Sequence, residues 1–270
     1  MEITEHAIHL LAEVERAVHA YYTDFTDLAQ GFEHVQRVYH LALILSEKEQ
    51  ADGFIVGMAA LLHDLGRTTR GPTRLHAERS AKLAKQLLAA HDLPPQTLHG
   101  ILHAILAHDY HRGTRPETLE ARVLYDADRL DSLGASGVMR WAMTMKHGRW
   151  PEIMTYHPDD PFALWRDPDG QHYQLDRFFT KLLGFQEIMT TTTGRAMAAR
   201  RIAFLHLYLQ ELQYELAEGG SGYDMSAEVT YGLLLQKLKG EEQEKEQPGE
   251  DLQHGKVFEM PYLSEEQHSA

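Results

Sequence analysis

The chain has 270 residues and no cysteine, which excludes a disulfide framework, a thiolate metal site and a cysteine nucleophile. With 43% hydrophobic and 24% charged residues it has the means to bury a core, and global disorder is excluded. The 40 acidic against 26 basic residues, a net charge of −14, argue against broad binding to nucleic-acid backbone or to anionic lipid. No apolar run approaches the ~20 residues of a membrane span and no signal-peptide pattern opens the chain, so a cytoplasmic protein is expected. Eighteen histidines, titrating near a pKa of about 6.5, reconcile that charge with an isoelectric point of only 5.7. Histidine is the unusual feature of this composition.

Apolar periodicity points to an all-α chain. Residues 3–22 read as an amphipathic helix whose apolar stripe is Ile8, Leu11, Val14 and Val18. A second helix is expected over 32–46, using Val35, Val38, Leu41, Ala42 and Leu45. The third, over 52–64, is almost continuously apolar and should be buried on most sides, with Gly66 as its C-terminal stop. A fourth covers 74–91 and ends before Pro94 and Pro95; a fifth covers 96–108. A long sixth runs over 119–146, kinked near Gly134 or Gly137. Proline, glycine and aspartate dominate 149–174, which reads as an irregular excursion. Two further helices are expected over 175–190 and 193–218, closing a first domain at 1–218. Residues 219–270 read as an acidic, partly disordered extension. It holds one possible helix over 227–239 and a small apolar island from Val257 to Leu263.

His63 and Asp64 close the apolar third helix, and two polar residues buried there need partners. Carbonyls at a helix C-terminus favour a nearby cation, and imidazole with carboxylate suits a borderline divalent metal. A hydrogen-bonded core pair is the plainer alternative. His34 lies on an otherwise apolar face of the second helix, with Arg37 one turn on, whereas His40 sits about 240° round the same helix. In the run from Tyr125 to Asp131, Asp126, Asp128 and Asp131 cannot all be buried without counter-charges. Asp126 and Asp131 either face solvent or pair with Arg122 and Arg129, and Asp128 stands between Leu124 and Leu130.

The order His34, His63-Asp64, Asp128 resembles the H…HD…D pattern of the HD-domain metal-dependent phosphohydrolase superfamily. Residues 32–38 are similar to that family's first helix, 59–67 to its central motif and 126–134 to its last. Residues 178–183 and 200–205 resemble the C-terminal helices of a bacterial subgroup that includes nucleotide pyrophosphohydrolases. The glycine–tyrosine motif of the HD-GYP phosphodiesterases finds only Gly222-Tyr223, in the wrong place, so that subclass is rejected.

The resemblance implies an HD-domain helical bundle with additional C-terminal helices. It makes His34, His63, Asp64 and Asp128 ligands of one divalent ion, manganese preferred, with iron, nickel, cobalt, zinc or magnesium as alternatives. Asp64, His76 and His108 become candidate catalytic groups. The two histidines match positions that hold a second metal in some relatives, but substrate contact or proton transfer is favoured here. Arg67, His76, His108 and Lys181 become candidate substrate contacts, the two cations being otherwise ordinary surface charges. Hydrolysis of a nucleoside triphosphate with pyrophosphate release is the favoured reaction. Nucleoside monophosphate phosphatase, phosphodiesterase and di-iron oxygenase chemistry are alternatives, and a non-enzymatic nucleotide sensor is the contrasting class. The partner expected is a small phosphorylated molecule, with the oligomeric state left open.

Overall fold

The computed structural model describes residues 5–109, 114–144 and 153–218. These residues are all-α, relieved by one isolated β-bridge between Met154 and Tyr173. The expected 219–270 extension, its 227–239 helix and the end of the long sixth helix lie outside the described residues. Among the described residues no helix is long and apolar enough to cross a membrane.

α1 (Glu5–Tyr21) buries Leu10, Leu11, Val14 and Val18. Ile8, expected on its stripe, is 57% exposed instead. Leu10, two residues on, takes its place because it lies closer in angle to Leu11, Val14 and Val18. α2 (Phe32–Glu49) follows a short 3-10 turn and sends Val35, Val38, Leu41, Ala42 and Leu45 inward. α3 (Gly53–Leu62) is the central helix, packed against α1 and α2 and against the helices that begin at His76, Pro95 and Leu119. Asp52 starts it, its carboxylate accepting the amides of Phe54 at 2.9 Å and Ile55 at 3.2 Å. From Val56 to Leu65 every side chain is buried, as a helix apolar on all sides requires.

A 3-10 turn, Leu65–Thr68, follows α3 and packs on α4 (His76–Leu88). Gly66 sits inside this turn, and its role differs from the expected stop. A Cβ there would collide with the His76 carbonyl and lie 2.6 Å from the Ser80 amide. The Gly66 amide donates to Ser80 Oγ at 2.8 Å, so the missing side chain lets the end of α3 dock on the start of α4. α5 (Pro95–Ala107) packs on α3 and α4.

The expected long sixth helix is two. α6 (Leu119–Leu130) is capped by Thr118, whose hydroxyl accepts the Ala121 amide at 3.2 Å. α7 (Gly134–Thr144) starts at Gly134, whose φ of +73° turns the chain away at one of the two anticipated positions. The excursion is irregular, as expected, but well tied. Met154 Nα donates to the His172 carbonyl at 2.9 Å. Buried Asp176 accepts both terminal nitrogens of Arg166, Nη2 at 2.9 Å.

The helix expected over 175–190 forms only a π turn, Phe178–Leu182, and the single turn α8 (Phe185–Ile188), with Gly184 between them. Asp126 fixes the end of that segment. Its carboxylate accepts the amides of Thr190 and Thr191 at 2.9 and 2.8 Å and both their hydroxyls at 2.9 and 2.7 Å. Asp126 is therefore buried on a backbone partner, neither solvated nor paired with an arginine. Burial pushes its carboxyl above the usual range despite those bonds. The chain then enters α9 (Thr192–Glu218), which packs on α6, α7 and α2.

Candidate metal centre

Five helix ends meet at one place. His34 is the third residue of α2, His63 and Asp64 follow the last turn of α3, and His76 opens α4. His108 follows α5, and Asp128 lies in the last turn of α6. His34, His63, Asp64, His76 and His108 are all buried, while the Asp128 side chain keeps 25% of its surface exposed and forms the open side. The C-termini of α3, α5 and α6 add carbonyl dipoles that favour positive charge.

Each imidazole is held by its Nδ1. In His63, His76 and His108 this nitrogen donates to the carbonyl three residues back, on Ala60 at 2.7 Å, Thr73 at 2.9 Å and Ile105 at 2.6 Å. In His34 it donates to Asp131 at 2.8 Å. With the proton on Nδ1, every neutral ring turns an unprotonated Nε2 into the centre. These nitrogens face one another, His34 to His63 at 3.4 Å and His76 to His108 at 3.0 Å. Two lone pairs at such a distance repel unless a cation lies between or beside them. Guanidinium groups already approach, Arg67 Nη2 to 3.1 Å from His76 Nε2 and Arg140 Nη2 to 3.4 Å from His34 Nε2.

The spacing suits an ion. Donors about 2.1 Å from a shared ion stand roughly 3.0–3.4 Å apart. His34 Nε2 lies 3.4 Å from Asp128 Oδ1 and 3.6 Å from Asp64 Oδ2, and His63 Nε2 lies 3.8 Å from Asp64 Oδ2. Two overlapping groups result, His34–His63–Asp128 and His63–Asp64–His108. Asp64 Oδ1, buried with no hydrogen-bond donor, faces His76 at 3.3 Å and His108 at 3.5 Å. An orphaned carboxylate oxygen and four converging imidazole nitrogens fit a divalent cation.

The electrostatics agree. Burial would raise the Asp64 carboxyl, but the charges of Arg67 and His63 hold it well below its ordinary value. Burial likewise opposes ionisation of Asp128, yet His34, His63 and Arg140 keep it below the usual carboxylate range. Burial lowers His63 to about 4, and it does the same to His76. At His108 burial also acts downward, but the adjacent Asp64 carboxylate outweighs it and raises the imidazole.

Arg67 is no plain surface cation: its Nε donates to Asp64 Oδ2 at 2.6 Å. Lys181 comes from the π turn, its ammonium 6.0 Å from the Trp141 ring centre and 5.8 Å from that of Phe185. Burial pushes it down to about 8, with Arg129 adding to the shift, and the Asp128 charge acts on it from the centre. His99 is exposed and His103 Nε2 accepts the Glu117 amide at 3.2 Å, so both stay outside, as does exposed His40.

Sequence reasoning left Asp131 to solvent or to Arg122 or Arg129, and the structure corrects this. Asp131 is buried, accepting His34 Nδ1, Arg37 Nε at 2.7 Å and Arg37 Nη2 at 3.1 Å, with Arg140 Nη1 3.5 Å away. Arg37 thus acts on His34 through a carboxylate. Arg140 was not anticipated; it ties α7 to the entry of α2 through the Ala29 carbonyl at 2.7 Å and Gln30 Oε1 at 2.7 Å.

Residues 31–133 match the HD domain family. YpgQ of Bacillus subtilis is 30% identical over 200 residues, 71% of this chain and 87% of that protein. A crystal structure of YpgQ in complex with ADP superposes with a TM-score of 0.60 at 28% identity, covering 77% of this chain and 96% of that one. An HD-superfamily hydrolase of Bacillus thuringiensis superposes with a TM-score of 0.61 at 25% identity, covering 78% and 98%. The helix order, the converging His34, His63, Asp64 and Asp128, and these likenesses lead to one conclusion: the chain belongs to the HD-domain superfamily.

Proposed function

We propose that this protein is a divalent-metal-dependent phosphohydrolase of nucleotides, and that its favoured reaction releases pyrophosphate from a nucleoside triphosphate. The observation carrying this reading is the convergence of unprotonated His34 and His63 Nε2 with Asp64 and Asp128 around the space of one ion. Manganese is the favoured ion for this nitrogen and oxygen set. A bound ion would supply Lewis-acid stabilisation of phosphoryl charge and an activated water.

The chain's own groups do the rest. Arg67, bonded to Asp64, and Lys181, on which the Asp128 charge acts, would hold phosphate oxygens. Among the described residues Lys181 has no hydrogen bond or ion pair, so its ammonium is available to an anion. His108, raised by Asp64, would carry a proton to the departing oxygen, while His76 stays neutral and accepts. The YpgQ–ADP complex supports a nucleotide ligand.

The test is chromatographic analysis of a mixed nucleotide pool incubated with protein and manganese, beside a chelator control. Chelator-sensitive formation of monophosphate and pyrophosphate is expected, and His63→Ala should abolish it. Nucleosides formed from monophosphates would replace the reaction with nucleotidase chemistry. An untouched pool that still binds the protein would favour a sensor.

A further inference from the structure

Gly66 stands between Asp64 and Arg67, and side chains of α4 take both of its backbone polar groups. Its amide donates to Ser80 Oγ at 2.8 Å, and its carbonyl accepts Arg79 Nε at 3.0 Å. Arg79 Nε also lies 3.1 Å from Thr69 Oγ1, whose hydroxyl donates to the same Gly66 carbonyl at 2.9 Å. Arg79 Nη1 donates to the Pro72 carbonyl at 2.7 Å. One guanidinium thus fastens the near and far ends of the 66–72 loop to the helix that begins with His76. Gly71 leaves room for it: its φ is +139°, and a Cβ there would lie 3.1 Å from Arg79 Nη1. The acceptors are two carbonyls and a hydroxyl, all neutral, so Arg79 contributes a shape rather than a charge pair.

One peptide plane carries that shape to the centre. The Gly66–Arg67 peptide has its carbonyl on Arg79 and its N–H on the Asp64 carbonyl at 2.9 Å. With both edges of the plane fixed, the Arg67 side chain leaves the backbone in one direction. Its Nε reaches Asp64 Oδ2 at 2.6 Å, and its Nη2 reaches His76 Nε2 at 3.1 Å. Arg67 is therefore at the centre by direct contact, and its stance is inherited from the clasp behind it.

We propose that Arg79 is a positioning residue, which acts on a substrate phosphoryl group through Arg67 by clasping the 66–72 loop to α4. This role rests on the phosphohydrolase reading above, in which Arg67 holds a phosphate oxygen. Arg79 sets where Arg67 stands and does not itself take the phosphate. Without the clasp, Arg67 has more directions open to it, and ordering it on a phosphate costs affinity.

Two variants separate shape from charge. Arg79→Gln removes the cation and the fork, whereas Arg79→Lys keeps the charge and loses the planar fork. Binding of inorganic pyrophosphate in the presence of manganese, measured by calorimetry, should weaken roughly tenfold to a hundredfold in both, the range for a hydrogen bond to a charged group. Manganese binding without pyrophosphate should be unchanged, and thermal unfolding should stay cooperative. In an Arg67→Ala background, Arg79→Gln should weaken pyrophosphate binding no further, because the residue it positions is gone. Trypsin should cut after exposed Arg70 faster in both variants than in the parent, as a released loop requires.

Equal pyrophosphate affinity in the parent and both variants would overturn the role of Arg79 and leave the phosphohydrolase reading standing. Full affinity in Arg79→Lys would overturn it as well, by making charge the requirement. So would a further loss in the Arg67→Ala background, which would separate Arg79 from Arg67. A variant that also loses manganese affinity would overturn it too, showing that Arg79 supports the ligand helices at large. If the parent binds manganese but no pyrophosphate or nucleotide, both readings fall together.

Discussion

The Asp131 carboxylate serves three side chains at once: it orients the His34 ring, receives the Arg37 fork and balances Arg140. Burial would raise it, but the hydrogen bonds from His34 and Arg37 keep it ionised below its ordinary range. Asp131→Asn keeps the shape and removes the charge, so His34 Nδ1 and the Arg37 fork are left to share one neutral amide oxygen. Manganese affinity should fall roughly tenfold to a hundredfold by calorimetric titration, the usual cost of losing such a partner. An unchanged affinity would show that His34 needs no orienting carboxylate. Lys181 gives a pH signature. Its protonated form is the one that binds an anion, and its pKa is lowered to about 8. Affinity for inorganic phosphate should therefore be highest below pH 8 and fall as pH rises through it, whereas Lys181→Arg should give a flat profile to pH 9.5. The convergence of His34, His63, Asp64 and Asp128 was legible only through the resemblance of their order to the H…HD…D pattern, since each alone has a plainer structural reading. Asp131 was equally visible but unassignable, since its partners His34 and Arg37 lie 97 and 94 residues away in the chain.

At the scale of elements, helix periodicity located α1 to α5 to within a few residues, because each buries an apolar face against α3 or its neighbours, whereas the sixth ends at Leu130 instead of running on to 146. The misreadings are tertiary in origin, each in its own way. The 175–190 segment has buried Phe178, Leu182, Phe185 and Met189 at helical spacing, yet Asp126 captures the backbone after it and Gly184 interrupts it. A tertiary hydrogen-bond partner overrode local pattern, and no local pattern announces one. Gly66 was read as a conformational stop, but its requirement is space. Gly66→Ala must push the 65–68 turn off α4, separating Asp64 and Arg67 from His76. We expect destabilisation of about 3 kcal/mol in urea unfolding, the upper end for overpacking, with loss of turnover. Stability within 0.5 kcal/mol of the parent, on the order of a neutral surface change, would show that the turn yields freely.

For the whole molecule, the apolar core runs from Leu10 on α1 to Leu209 on α9, so α9 belongs to the same unit as the ligand helices. A chain cut after Glu218 should therefore unfold cooperatively, with a midpoint within a few degrees of the full chain by calorimetry. Loss of the transition would place residues beyond 218 in the core. An ion bound by His34, His63, Asp64 and Asp128 would tie together α2, α3 and α6. At a hundredfold excess over Kd it should add about 2.7 kcal/mol, a rise of several degrees in Tm that a chelator reverses. An unchanged Tm with manganese would sink the metal reading.

The pairing of His34 with Asp131 has a consequence for the order of assembly. A ribosome releases His34 early and must deliver nearly a hundred more residues before the carboxylate that orients it exists. By then α1 to α5 have emerged and have their apolar partners in α3. Capture of an ion would thus follow chain collapse rather than guide it, the reverse of a zinc finger, whose metal is its core. A cell starved of the ion would hold a stock of folded, unloaded chains, ready to be switched on by supply alone.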